Sequence, residues 1–154
     1  MRTFSFPRRE DEAAVQEALD MTGTTDLAER GLATLSGGER QKVSIAAALA
    51  QQTRILLLDE PAAFLDPGHE ADIHRLLAKI NRERELTVVS VTHDINSAVL
   101  MSDRILALKD GQKLFFGCPG ELMHNEILQR VYDRPFQFVD HPQTGRRIVV
   151  ADAP

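Results

Sequence analysis

The stretch ILLLDEP at residues 55–61 places four aliphatic residues directly before two acids and a proline. An unbroken aliphatic run of this length, flanked by polar residues, is typical of a strand buried on both faces, as in a parallel sheet. TVVSVT at residues 87–92 is a second run of this kind, rich in β-branched residues. A helix with apolar residues at 3-4-3 spacing is predicted between them, capped by Asp66 and running from Pro67 to about Glu83. This order predicts an α/β fold with a mostly parallel sheet.

The rest of the chain predicts further elements on both sides of these strands. We expect a helix over residues 10–20 that Gly23 ends, and an alanine-rich helix over residues 35–50. Asp110-Gly111 is a two-residue hairpin signal between runs 104–109 and 112–116. Further along, we expect a small helical part at 121–132 and a second hairpin with strands 136–139 and 147–150. Residues 1–9 are basic and are expected to be irregular.

Composition limits the possible classes of function. The chain has 154 residues, of which 43% are hydrophobic and 27% charged, which is ordinary for a globular domain. The net charge of -5 gives no support for nucleic-acid binding. No apolar run approaches the roughly 20 residues that a membrane-spanning helix needs. The single cysteine, Cys118, cannot form an internal disulfide, which fits a reducing cytoplasm.

The string LSGGERQ at residues 35–41 opens the alanine-rich helix. Ser36 and Glu39 have the spacing of a capping box. The two glycines between them leave backbone N–H groups uncovered at the positive end of the helix, which is a ready site for phosphate. Taken alone, the same spacing also fits a helix that is merely well capped.

Polar side chains follow both predicted strands at their carboxyl ends, where open α/β sheets bind ligands. Asp59 is suited to hold Mg²⁺ through water, and Glu60 is suited to polarise an attacking water. His93 follows the second strand, where a neutral imidazole can contact a γ-phosphate. The alternatives are a solvated acidic turn for the two carboxylates and a capping or packing role for the histidine.

The order of these features along the chain favours the functional roles over the structural alternatives. A glycine-bearing capped helix, a strand ending in Asp59-Glu60, the segment AAFLD at residues 62–66 and a strand followed by His93 occur in succession. They resemble the signature, Walker B, D-loop and switch-histidine motifs of ATP-binding cassette (ABC) ATPases. The resemblance covers roughly residues 11–116. It implies a partial P-loop NTPase (RecA-like) parallel sheet, with part of the ABC helical subdomain and a small C-terminal hairpin.

The resemblance also implies roles for single residues, with ATP and Mg²⁺ as cofactors. The signature would contact the γ-phosphate of ATP that a partner subunit holds, and it contributes Ser36, Gly37, Gly38, Glu39 and Gln41 to the nucleotide-binding set. Asp59 would serve Mg²⁺ through water, and Glu60 would be the catalytic base. His93 would sense the γ-phosphate, and Asp66 would communicate across the dimer.

The tail is similar to importer ATPases, and more narrowly to subunits that import ferric siderophores, haem or cobalamin. The similarity to importers rests on Asp110-Gly111-Gln112 and on the run 116–123, and the narrower one on Val131-Tyr132 and on His141-Pro142 with Gly145. It implies transmembrane permease subunits and a second ATP-binding subunit as partners, in a homo- or heterodimer. The expected location is the cytoplasmic face of the plasma membrane, peripheral to it. Three parts are expected: a helical-subdomain remnant (1–50), the C-terminal half of the ATPase core (51–116) and an extension (117–154).

One component of such a site is missing from the sequence, because no G-x-x-x-x-G-K-[ST] string occurs. Without it the chain has neither an amide cradle for the phosphates nor the phosphate lysine, so weak ATP affinity and no activity alone are expected. The chain is expected to begin just past the Q-loop and to expose strand edges and apolar faces. The alternatives are a truncated, non-catalytic module that completes a partner's ATP site, and a DNA-repair or chromosome-type ABC ATPase. A metal site from His69 and His74 is not favoured, because they do not share a helix face.

Overall fold

The computed structural model describes residues 8–150. These divide into two compact units, the first ending at Val91 and the second beginning at Thr92. The three-part division expected from the sequence stays a prediction. The basic segment expected at residues 1–9 lies almost entirely outside the described residues.

The first unit alternates helices and strands in the predicted order. It contains α1 (Arg9–Thr22), α2 (Gly37–Leu49), β1 (Ile55–Asp59), α3 (Pro67–Arg84) and β2 (Thr87–Val91). Two short 3-10 turns, Thr25–Leu27 and Leu32–Thr34, connect α1 to α2. Gly23 ends α1 as predicted, in the left-handed conformation with φ +64° that glycine adopts without a steric penalty.

β1 and β2 pair in parallel, with Leu56 opposite Val88 and Leu57 opposite Val89. Leu56 is 4% exposed and packs with side chains from both α2 and α3, namely Ile45, Ile73, Leu77 and Ile80. The opposite face of the same pair is bare among the described residues, since Leu57 is 72% exposed and Val91 59%.

The expectation that this strand is buried on both faces is therefore wrong for the described part of the chain. The physical reason is that α2 and α3 both contribute their apolar residues to the Leu56 side. The separate expectation that the chain exposes apolar faces agrees with the exposed Leu57 and Val91.

Over residues 92–150, the second unit contains two antiparallel hairpins and three short helices. Its elements are α4 (Ile95–Met101), β3 (Ile105–Lys109), β4 (Gln112–Gly117), α5 (Pro119–Leu122), α6 (Asn125–Tyr132), β5 (Gln137–Asp140) and β6 (Arg147–Val150). Both predicted hairpins are confirmed. The helical part predicted at residues 121–132 is two helices, because the chain leaves helical geometry at Met123, whose side chain is buried at 1% exposure.

Side-chain hydrogen bonds hold the last hairpin to α4. Asn96 donates from Nδ2 to the Val149 carbonyl at 3.0 Å and accepts from the Val149 N–H at 2.9 Å. Arg146 donates to the carbonyls of Val99 and Leu100, both at 2.9 Å. The hairpin thus contacts α4 near both of its ends.

The predicted fold class, a partial α/β P-loop NTPase, is confirmed. Among residues 8–150, however, only β1 and β2 are parallel, and the other strands form the two hairpins. None of the helices in that range combines the length and apolar character needed to cross a membrane.

Candidate functional site

The start of α2 has the predicted capping box. The Ser36 N–H donates to a Glu39 carboxylate oxygen at 2.7 Å, and the Glu39 N–H donates to Ser36 Oγ at 3.3 Å. The first of these bonds is the main cause that holds the pKa of Glu39 below its usual 4.5. Arg30 adds a contact at 3.4 Å between its guanidinium and the same carboxylate. The Glu39 carboxylate thus fixes the backbone just before the helix.

Residues 36–38, called here the 36–38 loop, leave donors available at the positive end of α2. The Ser36 hydroxyl oxygen accepts from the Glu39 N–H, and the Ser36 side chain also hydrogen-bonds the Glu39 carboxylate, whose pKa it helps to lower. N–H groups in the first turn of a helix have no acceptor within that helix. Ser36 and Gly37 are exposed, whereas Gly38 is buried. This set of donors suits the oxygens of a phosphate.

The segment that follows β1 comes back against this loop. Leu65 Cδ2 would lie 3.5 Å from a Cβ placed on Gly37, which is ordinary van der Waals contact. His69 is closer, because its Cδ2 would lie only 2.6 Å from a Cβ on Gly38. The structure therefore brings the glycines of the predicted signature and the predicted D-loop region together within the first unit.

Asp66 is the N-cap of α3, as predicted. Its Oδ1 accepts from the N–H of Gly68 at 3.0 Å and from the N–H of His69 at 3.1 Å. Its Oδ2 is hydrogen-bonded to His69 Nδ1. The imidazole is the main cause that holds the pKa of Asp66 below its usual 3.8, and the two backbone donors act in the same direction.

The two acids predicted for Mg²⁺ and for catalysis lie at the end of β1. Asp59 is exposed and Glu60 is half-buried. Glu60 donates its backbone N–H to the carbonyl of Val91 at 2.9 Å and has a φ of +46°. A left-handed backbone at a residue other than glycine costs on the order of 1 kcal/mol, and such residues are concentrated at functional sites.

A metal ion at this strand end would draw on few protein ligands. Within residues 8–150, His, Cys, Asp and Glu side chains form no group of three or more that could hold a metal. One carboxylate with water and phosphate oxygens completing the shell is an arrangement that Mg²⁺ accepts. Asp59 fits that chemistry, and its proposed role stays a prediction.

His93 lies in the second unit, two residues after the end of β2. Its side chain is exposed, and the next residue, Asp94, caps α4 by accepting from the N–H of Asn96 at 2.9 Å. The expectation that His93 reaches the same crevice as Glu60 stays a prediction.

Two residues in or just after the predicted D-loop, His69 and Phe64, were not among the predicted site residues. His69 is considered above only as a metal ligand, and its position three residues after the helix-capping Asp66 is the sequence signal for its contact with that residue. Phe64 is fully exposed and has a φ of +62°. A large aromatic residue between the small residues Ala62-Ala63 and the helix cap was the available signal.

Comparisons with known proteins indicate the same family as the sequence motifs. Residues 1–63 match the family model described as ABC transporter. The chain is 42% identical over 147 residues to the ferric enterobactin transport ATP-binding protein FepC of Escherichia coli (strain K12), covering 96% of this chain and 54% of that protein. It is 41% identical over 145 residues to the hemin import ATP-binding protein HmuV of Rhodococcus jostii (strain RHA1), covering 94% and 49%.

Solved structures resemble the fold as well. A metal-chelate type ABC transporter in an inward-facing conformation aligns with a TM-score of 0.85 at 29% identity, over 98% of this chain and 61% of that one. The cbiO1 protein of Clostridium perfringens, part of the ABC transporter complex cbiONQ, aligns with a TM-score of 0.71 at 32% identity, over 83% and 51%. The predicted resemblance is confirmed, and the chain spans about half the length of the curated relatives it matches.

Proposed function

We propose, from the premise that this chain belongs to the ATP-binding proteins of ABC transporters, that it supplies the signature side of an ATP site. The whole activity would be ATP hydrolysis coupled to uptake by an importer. The observation that carries the proposal is the 36–38 loop, whose Ser36 and Gly37 are exposed at the positive end of α2.

In this proposal the 36–38 loop closes over the γ-phosphate of ATP that a second ATP-binding subunit holds. The hydroxyl and amide donors would stabilise charge that develops as the phosphate is transferred. Gln41, half-buried one turn further along α2, would support the same contact. Glu39 would act through the capping box, because its carboxylate is already committed to Ser36.

The residues at the strand ends would act on ATP held in the same subunit as themselves. Asp59 would bind Mg²⁺ through water, and Mg²⁺ would neutralise charge on the phosphates. Glu60 would accept a proton from the attacking water, and His93 would orient that water against the γ-phosphate. Asp66 would link the two subunits across their interface.

The proposed cargo is an iron-siderophore, haem or a cobalamin-type ligand. Its support is that relatives at about 40% identity are named for ferric enterobactin and hemin import. The partners would be transmembrane permease subunits, with the chain peripheral to the cytoplasmic face of the membrane. The cargo would be selected by those partners, since none of the proposed contacts of this chain involves it.

A second candidate is a non-catalytic module that completes the site of a complete cassette. One observation favours it: the side of β1 and β2 that carries Leu57 is bare among the described residues. For this candidate and for the first, the purified chain should hydrolyse ATP no faster than buffer. Turnover above background by the chain alone would contradict both.

Glu60→Gln tests the catalytic assignment in a protein where a phosphate-binding loop precedes this sequence. Turnover should fall by a factor on the order of 10² or more, because the amide cannot accept the proton. ATP affinity should stay unchanged, since Gln has nearly the same shape and can still accept a hydrogen bond. Measured turnover equal to that of the parent protein would refute the role of Glu60 as base.

A further inference from the structure

His69 lies at the junction of two segments that the proposed function uses. Its Nδ1 is hydrogen-bonded to Asp66 Oδ2, while the other side of its ring lies against Gly38. A Cβ added to Gly38 would lie 2.6 Å from His69 Cδ2, 3.1 Å from Cγ and 3.3 Å from Nε2. The ring thus occupies the space that the missing side chain of Gly38 leaves.

The contact is specific to Gly38. A Cβ on the neighbouring Gly37 would meet Leu65 at 3.5 Å, which needs no rearrangement. His69 Cγ and Cδ2 belong to a rigid ring that begins one bond from Cβ, so the ring cannot bend away as a long flexible side chain would. Moving the ring requires breaking its hydrogen bond to Asp66.

We propose that His69 is a positioning residue, which fixes the 36–38 loop to the N-cap of α3 through the path Asp66–His69–Gly38. The inference rests on the proposed function, in which the loop contacts the γ-phosphate and Asp66 reaches across the dimer. A displacement of Asp66 on contact with a partner is transmitted through the ring to the loop that must close over ATP.

The surroundings of His69 favour a fixed ring. Asp66 faces it from the start of its own helix and is hydrogen-bonded to its Nδ1. Gly38 of α2 lies against the other side of the ring. The imidazole is therefore held between the two segments that it connects.

Asp66→Asn tests the path without removing the ring. Asn keeps the Oδ1 that accepts from the N–H groups of Gly68 and His69, so α3 stays capped. It replaces Oδ2, the acceptor for His69, by an NH₂ group that cannot accept. The matched control is Asp72→Asn, which removes a carboxylate paired with Arg75 on the surface of α3.

The measurement is the ¹H–¹⁵N spectrum of the full chain at pH 5, where an imidazole ordinarily carries protons on both nitrogens. Asp66→Asn should move the Gly37 and Gly38 resonances at least threefold further than Asp72→Asn does. Equal or smaller shifts at Gly38 in Asp66→Asn would overturn the proposal.

A size exchange tests the contact itself. Gly38→Ala should lower the urea midpoint of unfolding in the parent chain, and this loss should disappear when His69→Ala is also present, because the methyl group then has room. Gly37→Ala, which meets only ordinary contact, should give the same midpoint change in both backgrounds. A loss from Gly38→Ala that is unaffected by His69→Ala would contradict the contact.

A third measurement separates this inference from the proposed function. When the chain is mixed with a related complete cassette whose own signature is disabled, His69→Leu should lower kcat about tenfold without changing the KM for ATP. His69→Gln, which keeps a donor toward Asp66, should restore most of kcat. If the parent chain gives no activity in this mixture, the proposed function is contradicted. The ¹H–¹⁵N spectra of Asp66→Asn and Asp72→Asn still test the contact path Asp66–His69–Gly38 in that case. Activity restored equally by His69→Leu and His69→Gln would overturn the positioning role.

Discussion

The start of α2 and the end of β1 carry the two halves of the proposed chemistry, and they are held in place differently. The 36–38 loop is fixed by a capping box that spans four consecutive residues and by the ring of His69. Asp59 and Glu60 extend from a pair of strands that is packed on the Leu56 side and bare on the Leu57 side. The contacts that position the 36–38 loop all come from this chain. The positions of Asp59 and Glu60, in contrast, depend on what covers the Leu57 side of the strands.

The largest effect should come from the packed side of β1. Leu56→Ala removes a side chain that is 4% exposed among helix residues, and should cost about 2–5 kcal/mol of unfolding free energy. Leu57→Ser on the bare side should change it by less than about 0.5 kcal/mol. Urea unfolding of both variants measures the difference. Similar losses for the two would show that the Leu57 side is covered in solution.

A smaller effect is expected at the start of α2. Ser36→Ala removes the oxygen that accepts from the Glu39 N–H, and should cost about 1 kcal/mol. Ser44→Ala is the matched control, because Ser44 is exposed within the same helix, where alanine is the better helix former. Thermal unfolding should therefore show a lower Tm only for Ser36→Ala. The capping account fails if both variants shift Tm alike.

The smallest effect concerns acid titration near the loop. The pKa values of Glu39 and Asp66 lie below their usual 4.5 and 3.8, chiefly because Ser36 and His69, respectively, donate to them. Their folded-state pKa values are depressed, so the stability they contribute is present above those usual values and is lost as pH falls below them. His69→Leu should raise the pKa of Asp66 toward 3.8. It should leave intact the hydrogen bond from the Ser36 N–H, which is the main cause of the lowered pKa of Glu39. ¹³C carboxyl titration by NMR should show this, and an Asp66 midpoint unchanged by the substitution would argue against His69 as the donor.

Local signals explain which parts of the fold could be predicted from the sequence. The capping box at Ser36, the N-cap at Asp66 and the hairpin at Asp110-Gly111 each depend on residues within a few positions of one another, and all three are present. The aliphatic run at 55–58 predicted a strand correctly, but it could not reveal that both neighbouring helices pack on one side.

Contacts between distant parts of the chain were not predictable in this way. The contact of His69 with Gly38 depends on how α3 packs near the start of α2, which no pattern in either segment specifies. The bonds from Asn96 to Val149 likewise join positions that only the fold brings together. The roles of Asp59, Glu60 and His93 stay predictions, since they require ATP and a partner.

The central proposal is that this chain can complete the ATP site of a partner through its 36–38 loop. The most direct test mixes it with a related complete cassette whose own signature Ser-Gly-Gly is replaced, and measures phosphate release. Hydrolysis should rise from background and saturate as the chain is added, whereas Ser36→Glu, which puts a negative charge where the γ-phosphate must lie, should give no rise. Background rates at every concentration of the parent chain, or equal stimulation by Ser36→Glu, would contradict the account.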